Sequence, residues 1–224
     1  MNYSMVKILI MKDWYLLRWA ILASLAGGVI SLGIIATGNK AAFMLGLILL
    51  VTVLIVAGAH IASTTMVTER KEQTLAFIMS LPISYREYTA AKLLANLLMF
   101  LVPWLVLTLG SIALLAYPPG KSMGLIPFTA LMSVEILVST CLIVAVALIS
   151  ESQGWTIGAI LVGNVALNFV GYWVAHIASI AKGMEGSSVQ WTPAASALLL
   201  GEFATIALIL GSAFFFQARK KDFL

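Results

Sequence analysis

The chain has 224 residues, 62% of them hydrophobic and only 10% charged, with a mean hydropathy of +1.05. Soluble domains carry about 25% charged residues, so this composition excludes a water-soluble globular fold and defines a polytopic membrane protein. The net charge of +4 implies no nucleic-acid partner, because the basic residues sit at the edges of apolar runs. A single cysteine, Cys141, leaves no intrachain disulfide to form.

Residues 1–18 interleave Val6, Leu9, Ile10, Leu16 and Leu17 with Lys7, Lys12, Asp13 and Arg18. That pattern predicts an amphipathic helix in the headgroup region, anchored by Trp14, Tyr15 and Trp19. Its alternative is a plain extension of the first membrane helix. The first span covers about 19–36, close to the ~20 residues a bilayer needs. Within it Ala23, Gly27 and Ser31, and Ser24 with Gly28, repeat at four-residue spacing and suit close helix packing. A tight turn at Thr37–Lys40 leads to a second span over about 41–66, which contains His60 followed by Ser63, Thr64 and Thr65.

The stretch from Glu69 to Lys92 is the long polar interruption of the first half. It carries Glu69, Arg70, Lys71, Glu72, Arg86, Glu87 and Lys92, far more charge than a turn between two spans requires. Leu75, Ile78 and Met79 fall at i, i+3 and i+4, the narrow apolar face of a short helix. Leu81 precedes Pro82, which pushes it from the α region and ends that helix. Ser84-Tyr85-Arg86-Glu87 then reads as a capping box with Ser84 as N-cap of the next helix.

The third span, about 87–117, contains Pro103, where a bend is expected. Gly120-Lys121-Ser122 imitates the end of a phosphate-binding loop. Residue 115 is leucine rather than the required glycine, and Pro118 and Pro119 lack amide donors, so no nucleotide site is expected in this chain. The fourth span covers about 123–149 and contains Glu135 and Cys141. The fifth, about 155–180, carries Asn164 and Asn168 one turn apart. The sixth, about 194–216, carries Glu202. No soluble domain or internal repeat interrupts this single unit of 1–224.

The order Glu-Arg…Thr-Leu…Ser-Leu-Pro-Ile-Ser…Glu-Tyr…Ala-Lys over residues 69–92 resembles the cytoplasmic loop of ABC-2 type permeases, the membrane subunits of a class of ATP-binding cassette exporters. Glu69, Thr74, Leu75, Leu81, Pro82 and Lys92 occupy matching positions, while Gln73 stands where many relatives have glycine. The resemblance implies six spans, an N-terminal connecting helix, and a coupling helix over 69–82 that docks into a cleft of the ATPase. It implies two permease subunits, identical or homologous, working with two ATP-binding subunits. ATP and Mg would sit on the partner, with no cofactor and no catalytic residue on this chain. Transport would proceed by alternating access in the cell membrane.

Charge placement yields an orientation independently. Ten of the Lys and Arg residues lie in the N-terminus, the 66–92 loop and the tail, against Lys40, Lys121 and Lys182 in the other loops. The positive-inside rule therefore predicts both termini and the 69–92 stretch in the cytoplasm.

Ionisable groups inside spans cost roughly 2.5–3.5 kcal/mol on insertion scales. Glu135 is read equally as a path or proton residue and as a structural one, whereas Glu202 is expected to be structural. His60 is expected to be a hydrogen-bonded packing residue, and the two asparagines to join helices. In similar permeases the second and fifth helices border the translocation path, which makes His60, Asn164 and Asn168, with Glu135, the candidate path residues. Two other functions stay open: a proton-coupled secondary carrier using Glu135, and a membrane assembly subunit without transport. No H-E-x-x-H motif or glycine-flanked serine elbow points to an intramembrane enzyme.

Overall fold

A computed structural model describes residues 3–69, 84–117, 122–217 and 219. Its α-helices are α1 (Tyr3–Ala36), α2 (Lys40–Ala62), α3 (Tyr85–Ala116), α4 (Ile126–Ser150), α5 (Gln153–Ala175), α6 (Ala178–Met184) and α7 (Pro193–Gln217). A π-helical turn, Ser63–Thr68, extends α2, and a short 3-10 turn, Met123–Leu125, precedes α4. All but α6 are long and apolar enough to cross a membrane. The chain is thus an all-helical, multi-pass membrane protein.

The interfacial helix expected over 1–18 and the first span are one continuous helix. No glycine or proline occurs between Ser4 and Ala26, so nothing in the backbone ends a helix there. Its 34 residues extend roughly 51 Å at 1.5 Å per residue, against about 30 Å of hydrocarbon. The N-terminal part of α1 therefore continues past the apolar layer as an extension of the bundle.

At the start of α3 the capping box forms as its sequence predicts. Glu87 accepts from the Ser84 backbone N–H at 2.9 Å, and the Ser84 hydroxyl accepts from the Glu87 N–H at 3.4 Å. Pro103 is accommodated inside α3. The fifth span ends earlier than the expected residue 180. Ile177 takes an extended conformation (φ −70, ψ 113) that separates α5 from the short α6. His176 closes α5, its Nδ1 lying 2.7 Å from the Tyr172 carbonyl oxygen.

Helix contacts divide the molecule into two groups, α1 with α2 and α3, and α4 with α5 and α7. The largely buried α4 joins them through α2 and α3. Leu50, Leu54 and Ile61 of α2 meet Met99, Phe100 and Leu107 of α3 and Ile136, Leu137 and Cys141 of α4. Lipid is as apolar as these side chains, so close fit rather than escape from water holds them. Gly28 illustrates the fit, because a Cβ there would lie 2.3 Å from the Leu107 side chain.

Helices α4 and α7 run parallel and in register. At one end Leu131 packs with Ala195; at the other, the Gln217 side-chain amide donates to Glu151 at 3.1 Å. The Glu151 backbone is left-handed (φ 50) and terminates α4. The end of the bundle at Leu131 is closed by backbone. The Gly124 N–H donates to the Gly186 carbonyl at 3.2 Å, and any Cβ at Gly124 would sit 2.3 Å from the Gly183 oxygen.

Candidate functional site

The opposite end of the bundle is charged. On α1, Val6, Leu9, Asp13 and Leu17 share one buried face, so an acid interrupts an otherwise apolar strip. On α3, Tyr88, Lys92, Asn96 and Met99 form a buried face of the same kind. Between them comes Glu69, carried inward by the π turn that ends α2. Val6 and Leu9 pack on Tyr88 and Ala91, which sets the two helices side by side at this level.

Lys92 is fully buried, and its ammonium lies 2.8 Å from Asp13 Oδ2 and 2.7 Å from Glu69 Oε2. Lys12, at the edge and partly exposed, donates to Glu69 Oε1 and lies 3.4 Å from Asp13 Oδ1. Two cations and two anions thus meet in one quartet. Removing a charge from water costs several kcal/mol per ion, recovered only where pairing geometry is good. Each anion here has both lysines as neighbours, which satisfies that condition. The Tyr88 ring lies 5.8 Å from the Lys92 ammonium and adds a weaker attraction.

A second layer fixes the quartet to the π turn. The Asn96 amide donates to the Lys92 carbonyl at 2.9 Å. The Thr65 hydroxyl lies 3.0 Å from Asn96 Oδ1 and 2.8 Å from the Ile61 carbonyl, so its single proton serves either acceptor. π turns are rare and concentrate at functional places. This one stands immediately before the 69–92 stretch.

The arrangement ties both ends of that stretch, Glu69 and Lys92, to α1 and to one another. Thr74, Leu75, Ile78, Met79, Leu81 and Pro82 lie outside the described residues, as does the short helix expected over 69–82. Glu69 and Lys92 stand out in the sequence for their place in the motif. Asp13 and Lys12 do not, although an acid four residues from a buried leucine on either side, Leu9 and Leu17, signals a buried partner.

The four path candidates do not converge. His60 is exposed on α2, and its ring makes no hydrogen bond among the described residues, contrary to its expected packing role. Asn168 is exposed on α5 and donates to its own helix, at the Asn164 carbonyl, at 2.8 Å. Asn164 donates to the Ile160 carbonyl at 2.9 Å. With Ser139 and Thr140 it lines a cavity of about 10 Å³ between α2, α4 and α5, room for a water molecule and no more. Both asparagines thus cap carbonyls of their own helix.

Glu135 is buried on α4. The register of α4 with α7 puts Glu202 at the same depth, within electrostatic reach of Glu135. Glu202 Oε2 is buried without a hydrogen-bond partner among the described residues. No ion pair joins either carboxyl to a cation among those residues.

No protein-family model, curated protein or solved structure matches this chain.

Proposed function

We propose that this chain is the permease subunit of an ATP-binding cassette exporter of the ABC-2 type, with both termini and residues 69–92 in the cytoplasm. The observation that carries the reading is the buried quartet at the ends of the 69–92 stretch. A loop that receives mechanical work from a partner must be joined rigidly to the helices it is to move. Asp13, Glu69 and Lys92 supply such a joint, since displacement of either end of the stretch pulls on α1 and α3 at once. The likeness of the 69–92 motif to coupling loops, and six spans in one unit, support the same reading.

In this mechanism two ATPase subunits bind ATP and Mg, close on one another, and shift the docked 69–82 segments of two permease copies. The quartet passes that shift to the first and third spans, and the spans tilt to alternate access. Chemistry stays on the partner. The test is purification of the chain from its native membranes in mild detergent. Stoichiometric recovery of an ATP-binding cassette ATPase is expected, with ATP hydrolysis absent from the chain expressed alone. Recovery without any such ATPase overturns the proposal.

A second reading, a proton-coupled carrier, draws on the Glu135 and Glu202 carboxyls at one depth with no cation beside them. It predicts uptake driven by a proton gradient in vesicles containing this chain alone. The exporter reading predicts none.

A further inference from the structure

The quartet engages Asp13 and Glu69 with Lys12 and Lys92, but Arg18, a turn and a half further along α1, has no carboxylate partner among the described residues. Its side chain is exposed. The guanidinium carbon lies 4.1 Å from the Tyr15 ring centroid and 5.4 Å from that of Trp19. Those rings are 65% and 69% exposed for their residues, so the cluster faces away from the bundle.

Counting about 20 residues back from Ala36 places Arg18 at the edge of the hydrocarbon layer. Helical side chains lean toward the N-terminus, and Arg18 does so, reaching over Tyr15 toward the headgroup zone. The guanidinium lies over the Tyr15 ring, and its fork of N–H donors has no hydrogen-bond partner among the described residues. That fork matches the oxygens of a phosphate in its own plane. Below it, Leu22 and Val29 continue the exposed stripe along which an acyl chain can lie.

We propose that Arg18, Tyr15 and Trp19 form a binding site for the headgroup of an anionic phospholipid in the leaflet at the N-terminal end of α1. A cation at the hydrocarbon edge with no carboxylate partner among the described residues needs an anion, and Asp13 and Glu69 are each paired with lysines. An anionic lipid supplies the missing charge, while the aromatic pair holds the guanidinium in place by cation–π attraction. A similar device recurs at the end of α7, where the Arg219 guanidinium lies 3.9 Å over the Phe215 ring. The site stands on geometry at the membrane edge and does not depend on the transport reading.

The test titrates the delipidated full chain in mild detergent with dioleoyl phosphatidylglycerol or dioleoyl phosphatidylcholine, and counts bound lipids by native mass spectrometry. The wild type is expected to prefer phosphatidylglycerol. Arg18→Gln should weaken that binding about fivefold, the effect of one interfacial cation near an anionic surface, and leave phosphatidylcholine binding unchanged. Arg18→Lys should fall between them, because an ammonium keeps the charge and loses the fork. Tyr15→Leu should weaken binding by less than Arg18→Gln. Excess inorganic phosphate should not displace the lipid. The proposal is overturned if the wild type does not discriminate, if Arg18→Gln binds like wild type, or if free phosphate competes. Should Arg18→Gln fail to fold, the Arg18→Lys and Tyr15→Leu comparison decides the matter.

Discussion

Two pairs of acids sit at different levels of this bundle, Asp13, Glu69 and Glu135 buried and Glu202 half-buried. Asp13 and Glu69 meet two lysines at the start of α3, and every charge there has an opposite within 3.4 Å. Glu135 and Glu202 lie between α4 and α7 with no cation paired to either among the described residues. The contrast teaches that burial of an acid does not by itself define its role. In the quartet each anion meets both lysines, so its contribution shows when one member is taken away. Glu135 and Glu202 have no such pairing to lose among the described residues.

The comparison breaks most sharply at Lys92. Lys92→Met removes the buried cation shared by Asp13 and Glu69, and loss of one partner of a buried pair costs about 3–5 kcal/mol. Thermal unfolding in mild detergent should show the largest loss of any single substitution in the quartet. A change under about 1 kcal/mol would mean that the pairing holds nothing.

Adding Asp13→Leu to Lys92→Met should return most of that stability. The double variant removes one cation and one anion together and keeps Lys12 with Glu69, and apolar replacements of a buried pair are often neutral or stabilising. If the two losses simply add, Asp13 and Lys92 act separately and the joint is not a unit.

A smaller effect belongs to Ser84→Ala, which removes one half of the capping box at the start of α3. A loss of about 1 kcal/mol is expected by thermal unfolding, and Ser84→Thr should retain most of it. The smallest effect is expected on the other side of the comparison. Glu135→Gln and Glu202→Gln should each change stability by less than about 0.5 kcal/mol, since neither gives up an ion pair. A loss comparable to that of Lys92→Met would show that these acids are structural after all.

Much of the fold was legible because the code for it is coarse. Apolar runs of about twenty residues announce spans, and the Ser84…Glu87 spacing announces a helix start that the structure reproduces. The end of α5 was not legible, because no glycine or proline marks it; the break rests on Ile177 alone, in a segment as apolar as its neighbours. The π turn was equally hidden, since Ser63–Thr68 contains no glycine or proline to mark it. The charged joint was half legible. Glu69 and Lys92 carry the motif, but Asp13, which pairs with Lys92, lies in another helix, and no local spacing connects residues 79 positions apart. His60 shows the converse error: a polar residue in a span was expected to bond inward, yet it stands on an outward face of α2.

The central claim, that residues 69–92 dock an ATPase, is tested most directly by Leu75→Asp. The short helix expected from the sequence, with Leu75, Ile78 and Met79 on one face, would suit a groove in an ATPase partner, where each anchor would be worth roughly 1.5–3 kcal/mol before association costs. The measurement is the ATPase stoichiometry of permease purified with its co-expressed partner, set beside the permease's own unfolding temperature. The predicted result is loss of the ATPase, or ATP hydrolysis uncoupled from transport, with the unfolding temperature unchanged. A Leu75→Asp permease that keeps its ATPase in full stoichiometry and transports normally contradicts the assignment.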